Sequence, residues 1–383
     1  MMLRTHLNRF NQLALPLTLL GLAGVVAHNW RLWQRDRAMV AQREPPAPLP
    51  PLSAWASLPL VTILVAAWNE ADLIAANIES VRALRYPHKQ LVLCAGGSDQ
   101  TYQIAQRYAS EQVQVLEQHA GEGKQAALER GLGLARGTLI YFTDADCLLD
   151  DEAFERLIYV LACEGEQAAT GIYQPLQHQR QHAFVISQWA GIVYLNATQP
   201  QPRYITGLSG ANSGVQRTAL ARSGGFSTPI PSGTDYYLAL RLRQAGVAIR
   251  HVPASVVATR FATNVPAYVR QQRRWLRNLL VLGYQYHDWQ HVRHALRTSC
   301  IGMGMLTLPL WAMHWRIAGG PWLILLTHAL LSRLRYLEVL RATVGIPIKP
   351  MTYLLQLPLL ILDWTIWSRA GLDSLLPPTR WRW

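Results

Sequence analysis

The sequence has 383 residues, which is enough for one large domain with flanking segments and too long for a single small module. Hydrophobic residues make up 50% of it and the formal net charge is +13, a balance that suits phospholipid headgroups or a phosphate-bearing substrate. Nucleic acid is not expected as a partner, since the sequence has no long Lys/Arg tract and no nucleic-acid-binding motif. The four cysteines form no CxxC pair, which argues against a disulfide framework and a zinc site.

Residues 1–43 are predicted to form an N-terminal transmembrane anchor. Residues 13–27 are apolar with basic residues on both sides, and extension to Trp30 approaches the roughly 20 residues that a spanning helix needs. More basic residues follow the stretch than precede it, which places the rest of the chain in the cytoplasm. The alternative is a cleaved signal peptide, although no convincing cleavage site follows. Residues 44–59 are rich in proline and are predicted to be a stiff linker.

Residues 60–282 alternate apolar runs with amphipathic stretches, which predicts an α/β domain. The predicted strands are residues 61–67, 91–94, 112–116 and 138–143. Helices are predicted up to Leu84, over residues 123–136 and from about Thr234 to Gly246, where Thr234 or Ser232 would cap the helix.

Residues 283–383 are predicted to form a membrane region with about three transmembrane or interfacial helices. Its apolar runs are residues 300–315, 322–331 and 351–367, of which the middle one is short enough to be a re-entrant segment. The positive-inside rule places the basic residues between the second and third runs in a cytoplasmic loop. These residues are Arg333, Arg335, Arg341 and Lys349.

The most informative motif is Asp144-Ala145-Asp146, which follows an apolar strand. Two carboxylates separated by one residue at the end of a strand can both bind Mg²⁺ or Mn²⁺. Such an ion would neutralise a diphosphate leaving group. The alternative is a pair of helix-capping residues, since a helix with acidic residues at its start follows.

Two further motifs lie later in the chain. Asp235 is predicted in the first turn of a helix, where it is either a carboxylate stabilised by the helix dipole or a general base for an acceptor hydroxyl. Gln271, Arg274 and Trp275 are predicted to share one helix face and to offer an amide, a guanidinium and a flat ring. The alternative for this basic helix is an interfacial anchor.

Weaker signals lie at three predicted turns, after the first strand, after the second strand and at the start of a helix. The residues concerned are Asn69 and Glu70, Asp99, and Lys124. Each is a candidate contact for a nucleotide or an anion, and each is also an ordinary turn residue.

In this order, the motifs resemble those of membrane-bound glycosyltransferases of family 2, which share the series D, DxD, [T/E]D and QxxRW. The resemblance spans residues 60–282 and includes relatives of cellulose, chitin and hyaluronan synthases and of ceramide glucosyltransferase. It implies a GT-A fold, a Rossmann-like nucleotide-sugar-binding domain, with flanking transmembrane helices. It also implies inverting transfer of a hexose from a nucleotide sugar, commonly a UDP-sugar.

The resemblance assigns roles to residues by position. It implies that Asp144 and Asp146 hold the diphosphate through Mg²⁺ or Mn²⁺ and that Asp235 is the catalytic base. The assigned donor-binding residues are Asn69, Glu70, Asp99, Lys124 and Asp144, and the residues assigned to the diphosphate and acceptor region are Gln271, Arg274 and Trp275. One departure from the family pattern is that Cys94 and Ala95 occupy positions where the family usually has two aspartates. The carboxylate that commonly contacts the nucleotide base is therefore missing, which weakens the inference that the donor is a UDP-sugar.

We therefore expect a glycosyltransferase in a bacterial inner or plasma membrane, with its catalytic domain in the cytoplasm. Its partners would be a nucleotide-sugar donor, the lipid bilayer and a membrane lipid as acceptor. The alternative acceptor is a growing glycan, elongated by a processive polysaccharide synthase of the cell envelope or exopolysaccharide. A catalytically silent membrane protein that binds a nucleotide or a partner is a lesser alternative, since all three aspartates are intact.

Overall fold

The computed structural model describes residues 2–230, 232–314 and 319–374. These residues divide into two compact units, which are an α/β unit of residues 45–179 and 201–261 and a helical unit of the remaining described residues. The division differs from the predicted domain 60–282, because residues 180–200 and 262–282 belong to the helical unit.

One mixed sheet forms the centre of the α/β unit. Its strands are β1 (Val61–Trp68), β2 (Lys89–Gly96), β3 (Val113–Gln118), β4 (Leu139–Phe142), β5 (Cys147–Leu148), β6 (Ala168–Pro175), β7 (Tyr204–Ile205), β8 (Ser213–Gln216) and β9 (Ile249–Thr259). They lie in the order β3-β2-β1-β4-β8-β6-β9-β5, and β7 pairs with β9. Strands β1 to β4 are parallel, whereas β8 is antiparallel to both of its neighbours. The four strands predicted from apolar runs are confirmed as β1 to β4.

The described helices are distributed between the two units. In chain order they are α1 (Met2–Ala41), α2 (Ile74–Ala83), α3 (Thr101–Gln106), α4 (Gly123–Leu134), α5 (Asp151–Ala162), α6 (Ala183–Thr198), α7 (Arg217–Arg222), α8 (Thr234–Gln244), α9 (Val265–Gln285), α10 (Trp289–His314), α11 (Gly319–Val344), α12 (Pro350–Leu354) and α13 (Gln356–Ser374). Helices α2 to α5, α7 and α8 belong to the α/β unit, and the others belong to the helical unit.

The sheet is covered by helices on both faces, which explains why β1 is apolar almost throughout. Ile63 and Val65 of β1 pack in the core shared with α2, α3 and α5. Leu64, between them, packs in the core shared with α4, α7 and α8. Because successive side chains of a strand point to opposite faces, a strand buried on both sides must be a continuous apolar run.

The helical unit is held together by buried charged side chains as well as by apolar contacts. Arg335 of α11 is only 6% exposed and pairs with Asp36 of α1 at 3.0 Å. The same guanidinium donates to Asn29 Oδ1 at 3.0 Å and to the Tyr194 hydroxyl of α6 at 2.8 Å. Burial of an arginine is tolerated because its donors are satisfied by a carboxylate and by neutral oxygens.

The prediction that the three arginines between the second and third apolar runs lie in a cytoplasmic loop is wrong. Arg333, Arg335 and Arg341 lie inside α11, which extends as far as Val344. The helix continues because Arg333 and Arg335 find acidic partners on other helices of the same unit, and Arg341 pairs with Glu338 one turn earlier. Charged residues interrupted the apolar pattern without ending the helix.

The apolar runs predicted to cross a membrane all fall in helices. The stretch 13–27 lies in α1 and the run 322–331 in α11, whereas the run 351–367 is divided between α12 and α13. The run 300–315 lies in α10 as far as His314, and Trp315 is outside the described residues. Over the described residues, no helix combines the length and the apolarity that crossing a bilayer requires.

Two glycines of α4 give a test of how closely that helix approaches the sheet. A methyl group at Gly131 would lie 2.6 Å from Leu64 Cδ1 and 3.2 Å from Cys94 Sγ, whereas at Gly133 it would meet nothing within 4 Å. We expect Gly131→Ala to lower the free energy of unfolding by about 1–3 kcal/mol through overpacking. The matched variant Gly133→Ala should raise it by up to about 1 kcal/mol, since alanine is the better helix former. Urea denaturation of the two variants checks this, and equal stabilities would contradict the observed packing.

Candidate active site

The loops that follow β1, β2 and β4 meet at the carboxyl edge of the sheet. Strand order reverses between β1 and β4, which are neighbours although two strands separate them in sequence. Ligands of open α/β sheets bind at such a switch point. Asn69 and Glu70 follow β1, Asp99 follows β2, and Asp144 and Asp146 follow β4. The topology therefore brings these five predicted residues to one edge.

A buried asparagine fixes the loop that carries Asp144 and Asp146. The Asn77 side chain, on α2, is fully buried and donates to the backbone oxygens of Asp144 at 3.2 Å and Cys147 at 2.7 Å. Thr259, at the end of β9, donates to Asp146 Oδ1 at 3.2 Å. The backbone of the loop and the Asp146 carboxylate are thus held by elements on both sides of the loop.

The same loop has the chemistry of a site for a hard divalent cation. Carboxylate oxygens of Asp144 and Asp146 and the sulfur of Cys147 lie within 4.8 Å of one another. Burial raises the pKa of the Cys147 thiol well above its ordinary value, so the thiol stays neutral and the ligands are the two carboxylates. Burial, followed by repulsion from Asp144, also raises the pKa of Asp146. A bound Mg²⁺ or Mn²⁺ would relieve that repulsion.

Asp235 approaches this pair across a glycine. It lies in the first turn of α8 and its side chain is exposed. A methyl group at Gly210 would lie 3.4 Å from Asp235 Oδ2 and 3.6 Å from Asp144 Oδ2, so the two carboxylates face the same small space. Since Gly210 has no side chain, that space is open to a ligand. The three predicted aspartates therefore converge.

The predicted cap of α8 is wrong. Gly233 occupies the N-cap position with a φ of 82° and makes no side-chain cap hydrogen bond, and Thr234 is the first helical residue. A left-handed backbone is inexpensive only for glycine, which explains why the chain turns there and not at Ser232 or Thr234. The turn directs Asp235 toward Gly210.

Lys124 supplies positive charge beside the aspartates. Its ammonium group, near the start of α4, forms an ion pair with Asp144. Burial works against protonation of Lys124, but attraction to Asp144, Asp235 and Asp146 outweighs it and raises the pKa of the amine. One lysine therefore interacts with all three carboxylates.

A cleft opens between Lys124 and Asp235. Its polar wall includes Thr143 and Gly210. The wall also includes the hydroxyl residues Ser209, Ser213 and Thr234, and its apolar part consists of Leu64, Leu128, Phe142, Leu208, Phe226 and Leu238. The cleft therefore combines a carboxylate, an ammonium group and hydroxyl groups with an apolar surface.

Arg260, which the sequence analysis missed, is a second cation at the same edge. It follows β9, and its guanidinium forms an ion pair with Glu70, contacts Asp72 at 2.7 Å and lies 3.8 Å from Asp146 Oδ2. Burial raises the pKa of Glu70 to about 7, although the positive charge of Arg260 lowers it. The negative charges of Asp146 and Asp72 raise the same pKa by smaller amounts. Asp146 is therefore flanked by a cation that is itself shared with two other carboxylates.

Asp99 and Asn69 order their own loops in the structure. Asp99 accepts hydrogen bonds from the Thr101 hydroxyl at 2.6 Å and the Ala71 amide at 3.1 Å. Asn69, with a positive φ of 58°, accepts one from the Ser98 amide at 2.7 Å. These bonds join the loops after β1 and β2, so the surface presented to a ligand is preorganised.

Gln271, Arg274 and Trp275 lie on α9 in the helical unit. Arg274 and Trp275 are exposed and Gln271 is half-buried. Within its own unit, α9 is fixed by the Tyr268 hydroxyl, which donates to Asp363 of α13 at 2.8 Å. The predicted contacts of these three side chains with a diphosphate and an acceptor remain predictions.

Three residues that matter to this geometry were absent from the sequence prediction. Gly210 lies in the glycine-rich stretch 207–214, which was a usable signal, and Asn77 is a polar residue on the inward face of a helix. Nothing in the sequence around Arg260 distinguishes it from other basic residues. Its pairing became visible only with the fold.

The profile of a family described as "glycosyltransferase like family 2" matches residues 59–278. The chain is 27% identical over 285 residues to a β-monoglucosyldiacylglycerol synthase of Synechocystis sp., covering 68% of this chain and 57% of that protein. It is 28% identical over 95 residues to a poly-β-1,6-N-acetyl-D-glucosamine synthase of Staphylococcus epidermidis, covering 24% and 23%. The chain spans about half of the length of the curated relatives that it matches first.

A solved structure shares the fold. The mannosyltransferase PcManGT of Pyrobaculum calidifontis, in complex with GDP-Man and Mn²⁺, superposes with a TM-score of 0.51 at 19% sequence identity. The superposition covers 96% of this chain and 99% of that protein. At this identity the similarity concerns the fold.

The buried amide of Asn77 gives a prediction about cation binding. Asn77→Ala removes both hydrogen bonds that hold the Asp144–Cys147 loop, and we expect Mn²⁺ affinity to fall by about 10- to 100-fold, as for other residues that orient metal ligands. Gln90→Ala is the control, because Gln90 is also a buried amide but lies at the start of β2. Mn²⁺ titration followed by electron paramagnetic resonance measures both variants. Equal loss in the two would mean that the effect is one of general stability.

Proposed function

The chain belongs to the glycosyltransferase-like family 2, and on that basis we propose that it transfers a hexose from a nucleotide-sugar donor, with inversion, to a membrane lipid. The observation that carries the proposal is the approach of Asp144 and Asp235 to one space beside Gly210, with Lys124 at its edge. A carboxylate pair for a cation and a separate carboxylate for a proton are the groups that such a transfer needs.

The donor diphosphate is proposed to bind at the loop of Asp144 and Asp146. These two carboxylates would hold Mg²⁺ or Mn²⁺, which neutralises charge on the leaving diphosphate when bound. Lys124 lies beside them and would contact the same phosphates as a point charge. The loops of Asn69, Glu70 and Asp99 are the proposed surface for the nucleoside. UDP is the proposed nucleotide. Cys94, which replaces a family aspartate that would contact the nucleotide base, is buried against α4, where its Sγ donates to the backbone oxygen of Ala127 at 2.9 Å.

Asp235 is the proposed general base. Its Oδ1 accepts a hydrogen bond from the Tyr236 amide at 2.9 Å, which leaves Oδ2 toward Gly210. The first turn of a helix stabilises the negative charge that a base needs. Burial, followed by the charge of Asp235, raises the pKa of nearby Tyr173 to about 12, so a neutral hydroxyl lies close to the base. An acceptor hydroxyl in the cleft would give its proton to Oδ2 as it attacks the anomeric carbon.

A lipid acceptor is favoured over a growing glycan by the extent of the similarity. The match to a glucosyldiacylglycerol synthase covers 68% of the chain, whereas the match to a poly-N-acetylglucosamine synthase covers 24%. Polysaccharide elongation remains the second candidate. The position of Gln271, Arg274 and Trp275 at the acceptor region is part of the proposal.

Substitution of Asp235 tests the assignment of the base. Asp235→Asn keeps the shape of the side chain but removes its basicity, and we expect kcat to fall by about 10²- to 10⁴-fold with an unchanged melting temperature. Asp151→Asn is the matched control, because Asp151 is also in the first turn of a helix but pairs with Arg85. Radiolabel transfer by purified protein measures both. Full turnover by Asp235→Asn would remove the residue from the role of base.

Product analysis separates the candidate functions. Membranes containing the protein are incubated with a panel of labelled nucleotide sugars, and lipid and polymer products are then separated. We expect a lipid that carries a single sugar. A ladder of oligosaccharides would support elongation instead. Absence of both transfer and metal-dependent donor hydrolysis would support a catalytically silent binding protein.

Membrane residence is part of the proposal and has its own test. Several large apolar side chains of α1 and α10 are exposed, among them Leu15 and Leu20 of α1 and Trp311 and Met313 of α10. Burial of such side chains in lipid is favourable, so we expect the full chain to remain in the membrane pellet after alkaline carbonate extraction. Quantitative release into the supernatant would be the contrary result.

A further inference from the structure

Each aspartate of the Asp144–Asp146 pair faces a cation that comes from a different part of the chain. Asp144 pairs with Lys124 of α4, and Asp146 lies 3.8 Å from the Arg260 guanidinium after β9. The two cations therefore stand beside the groups that are proposed to bind Mg²⁺ or Mn²⁺. A fixed cation at this distance opposes the entry of another cation.

Arg260 is held in this position by two further carboxylates. It forms an ion pair with Glu70 and contacts Asp72 at 2.7 Å, and both residues belong to the loop after β1. The arginine side chain is one-third exposed, so it is accessible to solvent while its donors are shared among three carboxylates. A planar guanidinium with several donors is also the side chain best suited to bind phosphate oxygens.

We propose that Arg260 makes the binding of the divalent cation and of the nucleoside diphosphate interdependent. In the free enzyme its charge weakens cation binding at Asp146. A diphosphate at the site brings negative charge that offsets Arg260 and bridges it to the cation, so each ligand raises the affinity for the other. Such coupling is reciprocal by thermodynamic necessity. The inference rests on the proposed function, since it takes the Asp144–Asp146 loop as the site of both ligands.

Cation binding alone tests the idea without any turnover. Mn²⁺ affinity is measured by electron paramagnetic resonance for the full chain, first without nucleotide and then with saturating UDP or GDP. For Arg260→Gln we expect Mn²⁺ alone to bind roughly three- to tenfold more tightly, because an opposing charge that is partly exposed to solvent has been removed. The increase in Mn²⁺ affinity on adding the diphosphate should be smaller than in the wild type.

Three further variants make the result specific. Arg260→Lys retains the charge and should bind Mn²⁺ alone as the wild type does. Arg250→Gln removes one positive charge from β9, the strand that Arg260 follows, at a residue that lies 3.8 Å from Glu166, and it should leave Mn²⁺ affinity unchanged. If Arg260→Gln fails to fold, Arg260→Met removes the same charge and retains the apolar stem.

The outcomes separate this inference from the proposed function. Mn²⁺ binding by the wild type with an unchanged or weakened affinity in Arg260→Gln overturns the role of Arg260 and leaves the cation site standing. Tighter binding in both Arg260→Gln and Arg250→Gln also overturns it, because the effect would then be one of net charge. No Mn²⁺ binding by the wild type, with or without a diphosphate, overturns both proposals.

Discussion

Repulsion between carboxylates at one edge of a sheet is the constraint on which the rest of the site depends. Besides Asp99, five carboxylates lie there, contributed by the loops after β1 and β4 and by α8, and they are Glu70, Asp72, Asp144, Asp146 and Asp235. Like charges at short range destabilise a fold unless cations or hydrogen-bond donors oppose them. Lys124 and Arg260 provide the opposing charge, and both are positioned by elements that are well packed in the same unit.

Lys124 and Arg260 neutralise the charge of these carboxylates only in part, and the remaining negative charge affects which ligands the edge can bind. Two cations oppose these five carboxylates, so an excess of negative charge remains at this edge even though the pKa of Glu70 is raised to about 7. The excess favours a divalent cation, whereas the fixed cations would favour the anionic phosphates of the proposed donor. An edge with carboxylates alone would bind metal and repel the donor, and an edge with more cations would do the reverse.

The parts of the fold and of the candidate site that could be predicted from the sequence are those that depend on neighbouring residues in the chain. The strands up to β4 could be predicted because burial on both faces forces continuous apolar runs, and Asp144 and Asp146 could be singled out because they follow such a run. The pairing of Arg260 could not, because it depends on the alignment of β9 alongside β6 and on the loop after β1. Arg335 was misread as a loop residue for a related reason, since its partner Asp36 is 299 positions away.

The apolar part of the cleft wall bears on competition from water, which affects every transfer to an acceptor other than water. Water is a competing nucleophile, and a carboxylate such as Asp235 would activate it as readily as a sugar or lipid hydroxyl. Leu208 and Phe226 belong to the apolar part of the cleft wall, where a water molecule has few hydrogen-bond partners. An acceptor that covers this apolar surface gains from its burial and displaces water at the same time. Under the proposed function, the hydrophobic core of the α/β unit, which extends to the cleft through Leu64 and Leu238, contributes to selectivity as well as to stability.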